Sequence, residues 1–130
     1  MLYFAYGMNT NDNAMPGAAR LGKSTLLNYS WEMLQYANVY DNYRSNVSGI
    51  LWDINEDTLK YLDVREGYPD FYNRILTDVE HDGVTKQAWV YYMTDYYREK
   101  LKDTTPSDQY LASVVAGYAA NGLPLPTSSL

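Results

Sequence analysis

Cysteine is absent from this 130-residue chain, and histidine occurs only once, at position 81. The first absence excludes disulfides, thiolate nucleophiles and thiolate metal sites. The second argues against a zinc centre, which draws on several His or Cys ligands. A metal centre is therefore not expected. Long apolar runs are missing too: nothing approaches the roughly 18 residues of a membrane-spanning helix, so no membrane association is expected. The opening residues, MLYFAYGMNT, lack a basic segment followed by an apolar run, so no secretory signal is read and a cytoplasmic location is expected. Positive charge is scarce, with 10 Lys and Arg against 16 Asp and Glu and a net charge of −6. That balance disfavours nucleic acid, whose phosphates are met by Lys and Arg. No repeat or low-complexity linker divides the chain, and residues 1–130 read as one domain.

What is abundant is tyrosine, 15 residues against two phenylalanines. Each has an apolar body and a polar tip, which suits a polar cleft walled by rings or an amphipathic surface. Surface positions are expected for most of them.

Leu2 to Tyr6 is a short apolar run stopped by Gly7, a buried strand ending in a turn. Residues 8–25, with Pro16, read as a loop containing about one helical turn. Leu26–Leu34 alternates weakly as a second strand, and residues 35–46 lack a period and read as a loop. Val47–Ile54 is a clearer strand. Asn55 offers an N-cap with Glu56 and Asp57 behind it, and Leu59 and Leu62 share a face. Gly67 and Pro69 end that helix, with Glu66 at its last turn. Phe71–Glu80 and Thr85–Met93 read as strands around an Asp82-Gly83 hairpin turn, which places His81 in an exposed turn. Thr105, Pro106, Ser107 and Asp108 open a last helix, with Thr105 as cap and Pro106 as its first residue. Tyr110, Leu111, Val114, Val115 and Tyr118 mark its apolar face, and Asn121-Gly122 its end. The fold class is α+β: five or six strands in a curled mixed sheet or barrel, with two or three flanking helices.

Three constellations could carry chemistry. A glycine after a strand, as in Tyr3-Phe4-Ala5-Tyr6-Gly7-Met8-Asn9, can expose successive N–H groups to an anion, or can simply turn the chain. A glutamate at a helix end beside glycine, as in Arg65-Glu66-Gly67, can face a pocket with a raised pKa, or can be a solvated surface residue. The tyrosines at 91, 92, 96, 97 and 110 can line a cleft or pack.

Their order along the chain resembles the γ-glutamylcyclotransferase-like family. Residues 3–9 resemble that family's YFAYGSN loop. Gly49-Ile50-Leu51-Trp52, then Leu59, Leu62-Asp63 and Glu66-Gly67, are similar to its G-x-x-W…L-x-x-L-D-x-x-E-G segment. Tyr91-Tyr92-Met93-Thr94 resembles its Y-x-M-T strand. Pro106-Ser107, Tyr110, Gly117 and Asn121-Gly122-Leu123-Pro124-Leu125 resemble its final helix and exit.

The resemblance implies a small barrel with helices and a γ-glutamyl small molecule as substrate. It implies Glu66 as catalytic acid/base, and Tyr3, Phe4, Ala5, Tyr6, Gly7, Met8 and Asn9 as the loop that binds the γ-glutamyl group. Tyr72, Tyr91 and Tyr110 would contact substrate. The implied reaction closes the γ-glutamyl group to 5-oxoproline and releases an amine, with no metal or organic cofactor required. One residue departs from the pattern: Met8 stands where the family has serine, and a thioether is a poor hydrogen-bonding group. A non-catalytic binding module on the same fold is the alternative that Met8 favours. An amide-processing enzyme with an unrelated substrate is a third reading. The leaving amine and the oligomeric state are left open.

Overall fold

The computed structural model describes residues 1–11, 15 and 17–126. Pro16, expected in a loop, lies outside them. Five strands close into a barrel: β1 (Leu2–Ala5), β2 (Ala19–Met33), β3 (Ala37–Asp53), β4 (Tyr72–His81) and β5 (Val84–Met93), in the order β1-β3-β2-β4-β5. Three helices accompany them, α1 (Glu56–Glu66), α2 (Asp95–Leu101) and α3 (Asp108–Ala120), with one 3-10 turn at Met8–Thr10. All ladders are antiparallel except the closure, where Tyr3 of β1 pairs in parallel with Trp89 of β5.

The largest departure from expectation is the long β2–β3 hairpin. Residues 19–25 and 37–46, read as loop, are strand. Their side chains are mostly polar because this part of the ribbon has one wet face and interrupted pairing. Register shifts fall between Arg20 and Gly22 and between Leu27 and Tyr29, and Asn28 and Arg44 have positive φ, so no clean alternation survives. The hairpin turns at residues 34–36, where Leu34 N–H donates to the Tyr36 carbonyl and Gln35 N–H to the Thr104 hydroxyl.

α1 forms where expected. Asn55 Oδ1 accepts from Thr58 N–H at 2.8 Å. Gly67, at φ 67°, closes it with a left-handed turn, and Tyr68 N–H reaches back to the Asp63 carbonyl. The helix therefore ends at Glu66.

His81 is not an exposed turn residue. It is the last residue of β4, paired with Val84 and 8% exposed, and only Asp82 and Gly83 form the turn. Its Nε2 lies 3.3 Å from the Leu21 carbonyl, a partner unseen while residue 21 was read as loop. Ser107, not Thr105, caps α3 by accepting from Tyr110 N–H, which leaves Pro106 before the helix rather than in it. α3 buries Val114, Gly117 and Tyr118, while Leu111 and Val115 are exposed. α2 was not anticipated.

Most of the 15 tyrosines keep a surface position, as expected, but six do not: Tyr3, Tyr6, Tyr29, Tyr72, Tyr91 and Tyr118 are buried in two adjoining core clusters. Burying so many hydroxyls is tolerable because they find partners: among the described residues no buried side-chain polar atom is left unpaired.

Candidate active site

A cavity of about 460 Å³ opens at the surface, and its walls come from five separated segments. β1 and the residues after it form one side: Tyr3, Tyr6, Gly7, Met8 and Asn9. The hairpin turn contributes Tyr36 and Ala37. The end of α1 and the start of β4 supply residues from Val64 to Tyr72, and Tyr91 and Tyr110 complete the enclosure. Of the residues expected to meet substrate, Phe4 and Ala5 do not line it. Strand alternation and pairing with Leu51 and Ile50 put both into the core, 0% and 1% exposed.

The 6–11 segment is held rigidly. Trp31 Nε1–H donates to the Tyr6 carbonyl at 3.0 Å, and the Tyr118 hydroxyl lies 2.9 Å from both that carbonyl and that of Ser48. Trp52 Nε1–H donates to the Asn9 carbonyl, and Asn9 Nδ2 donates to the Tyr3 hydroxyl. Thr10 Oγ1 donates to the Gly7 carbonyl, and Asn11 Nδ2 lies within 2.9 Å of the Met8 and Ser113 carbonyls. Its carbonyls are so occupied, and the first N–H groups of its 3-10 turn are those that a helical turn leaves without an internal acceptor. A Cβ on Gly7 would lie 3.3 Å from that of Ala37 and 3.5 Å from the Tyr110 hydroxyl, so glycine keeps this corner open.

Glu66 and Arg65 are the only ionised side chains among the lining residues. No hydrogen bond or salt bridge to a described residue engages the Glu66 carboxylate. Burial pushes its pKa up to about 6, with Arg65 opposing. A carboxyl in this state accepts a proton near neutrality and gives it back. The tyrosines around it stay protonated: burial raises the pKa of Tyr3, Tyr6 and Tyr72, and pushes Tyr110 up to about 12. Tyr72 O–H donates to the Ala37 carbonyl at 2.6 Å, and Ala37 N–H donates to the Tyr110 hydroxyl at 3.1 Å. Both backbone groups of Ala37 are thus taken, and Tyr110 keeps its own proton for another acceptor.

Sequence reasoning missed the support behind this wall. Arg74 donates twice to Asp63, at 2.8 and 3.1 Å, and Tyr91 O–H donates to Asp63 Oδ1 at 2.7 Å. Burial would raise the Asp63 carboxyl, but the hydrogen bonds from Arg74 and Tyr91 outweigh it and the net shift is downward. The Arg74 guanidinium lies over Tyr68 and Trp89, 4.4 and 4.3 Å from the ring centroids. Asp63 is one helical turn before Glu66, a spacing visible in the sequence. Its partners, 11 and 28 residues away, were not. Tyr36 and Phe71 were missed as well. Among the described residues, no cluster of three or more His, Asp or Glu side chains could hold a metal ion, and no helix is long and apolar enough to cross a membrane.

A closed five-stranded barrel with a lone, partly buried glutamate in a tyrosine-walled cavity defines the class of protein. Residues 3–112 match the family model described as "Gamma-glutamyl cyclotransferase, AIG2-like". The chain belongs to that family. A solved structure titled "Gamma-glutamyl cyclotransferase" superposes with a TM-score of 0.78 at 26% identity, covering 96% of this chain and 82% of that one. An uncharacterized human protein superposes at 0.79 with 27% identity, covering 95% and 81%. A Methanocaldococcus jannaschii protein, provisionally named a gamma-glutamylcyclotransferase, is 37% identical over 49 residues, 37% of this chain and 41% of its own length. The chain thus matches less than half the length of that curated relative.

Proposed function

We propose that the chain cyclises the γ-glutamyl group of a γ-glutamyl amino acid, peptide or amine to 5-oxoproline and releases the amine, with Glu66 as general acid/base. The observation that carries this reading is the Glu66 carboxylate itself. It lines the tyrosine-walled cavity, engages no hydrogen-bond or ion-pair partner among the described residues, and is pushed by burial to a pKa of about 6.

The substrate's α-ammonium loses a proton to Glu66. The freed nitrogen attacks the γ-carbonyl carbon of its own side chain, forming a C–N bond and a tetrahedral oxyanion. The second proton leaves that nitrogen as the C–N bond to the leaving amine breaks. Two protons depart the ring nitrogen and two arrive on the leaving nitrogen, so the reaction consumes no water, and one carboxyl passing protons in turn suffices. The N–H groups of the 6–9 segment and the Tyr110 hydroxyl are the donors for the oxyanion or the α-carboxylate. Holding the chain folded supplies much of the acceleration, since well-oriented intramolecular groups reach effective molarities of about 10⁵ M or more.

The test is 5-oxoproline release from a panel of γ-glutamyl compounds, followed against pH. Because Glu66 must begin unprotonated, log kcat/KM is expected to rise with unit slope to about pH 6 and then level. A profile that stays flat down to pH 4.5 excludes a base with this pKa.

Met8 is the observation that favours a non-catalytic binder on the same fold. It lines the cavity and packs against the core cluster, placing a thioether where the family carries a hydroxyl. If backbone donors do the work, Met8→Ser leaves kcat/KM little changed; if the family hydroxyl is a missing ligand, it raises kcat/KM by roughly two- to tenfold, the worth of one neutral hydrogen bond. An inert unaltered chain beside an active Met8→Ser variant establishes the binder instead.

A further inference from the structure

One corner of the cavity is walled by three aromatic rings. Tyr36, on the hairpin turn, stands nearly at right angles to two rings: Phe71, at 5.9 Å and 76°, and Tyr110, at 5.3 Å and 84°. The Phe71 ring continues outward to Tyr97, 4.6 Å away. All three rings of this corner line the cavity, and Tyr36 remains 37% exposed. Its hydroxyl donates to none of the described residues. An exposed ring held by two edge contacts offers a face to a planar or bulky apolar group. Arg65 sits at the same rim, exposed, with no salt bridge to a described residue. Its charge reaches into the cavity, where it lowers the pKa of Tyr3, Glu66 and Tyr110 against their burial.

We propose, resting on the cyclisation reading above, that the Tyr36–Phe71–Tyr110 corner receives the side chain of the leaving amino acid while Arg65 pairs with its carboxylate. The preferred substrates are then γ-glutamyl dipeptides whose second residue is aromatic or large and apolar. Small leaving groups leave the corner empty, and simple amines leave Arg65 unpaired. Tyr36 and Arg65 are specificity residues here; the proton transfers belong to Glu66.

The test compares γ-glutamyl-phenylalanine, γ-glutamyl-alanine and γ-glutamyl-phenethylamine by 5-oxoproline release at pH 8. The phenylalanine compound is expected to exceed the alanine compound by at least about tenfold in kcat/KM, since filling or emptying an apolar pocket by even one methylene is worth about 10–200-fold. Tyr36→Ala is expected to bring that ratio within about threefold. Arg65→Gln is expected to lower the phenylalanine-to-phenethylamine ratio severalfold. Turnover with the alanine compound equal to or better than phenylalanine overturns the subsite while the cyclisation reading stands. If nothing turns over, melting temperature decides. A rise with the phenylalanine compound, absent for alanine and lost in Tyr36→Ala, upholds the subsite and removes the cyclisation reading. No shift with any compound removes both.

Discussion

Glu66→Gln is expected to lower turnover by about 10²–10⁴-fold and, above pH 6, to make the protein more stable. The two effects have one cause. Glutamine keeps the shape of the side chain but cannot take a proton. In the folded chain the carboxyl titrates near 6 rather than 4.5, because burial penalises its charge. A pKa raised by folding gives stability that is fully present below the unfolded value of 4.5 and lost as pH rises through about 6. At pH 8 the ionised Glu66 therefore costs up to about 2 kcal/mol, at roughly 1.4 kcal/mol per pH unit. The Gln variant escapes that cost. Chemical denaturation should find it more stable than the parent at pH 8 and no different at pH 4. A variant keeping more than about a tenth of parental turnover rules Glu66 out as the base. One that loses activity and stability together points to a structural role.

Gly49→Ala is expected to be the most damaging small substitution in the barrel. A Cβ there would collide with the carbonyl oxygen of Ala5 and would lie 2.6 Å from the Phe4 ring. Neither can yield: Ala5 is paired with Ile50 across the ladder, and Phe4 is wholly buried. Overpacking of this kind costs about 3 kcal/mol, which in a domain of this size lowers the melting temperature by about 10 °C. Calorimetry checks it, and a shift under 2 °C would show that β1 can slide away from β3. The same contact explains why a glycine opens the Gly49–Trp52 motif: β1 crosses β3 too closely there for any side chain.

The elements legible from sequence were those with local causes. α1 announced itself by its cap and its glycine stop, the β4–β5 hairpin by Asp82-Gly83, and the barrel by strand count and resemblance. Glu66 was legible because it ends a helix beside glycine within a family pattern. The unread features depend on partners far along the chain. Residues 37–46 are strand because β2 pairs with them through a bulge, not because they alternate. Phe4 and Ala5 sit inside a loop motif yet face the core, since a motif carries no record of which way a strand turns its side chains. His81 meets the backbone carbonyl of Leu21, 60 residues earlier. Asp63 was within the motif, but its pairing with Arg74 and Tyr91 needed the barrel to be closed first.

Main-chain groups tie the hairpin turn at residues 34–36 to the body, Gln35 N–H to Thr104 and both backbone groups of Ala37 to Tyr110 and Tyr72, beside the buried Leu34 side chain and the packed Tyr36 ring. The main-chain attachments do not depend on which side chain the turn carries. Selection can therefore exchange residue 36 for a different flavour of side chain without disturbing Glu66, which rides on a separate helix. A lineage built on this barrel is free to vary the wall that residue 36 forms while the helix that carries Glu66 is inherited unchanged.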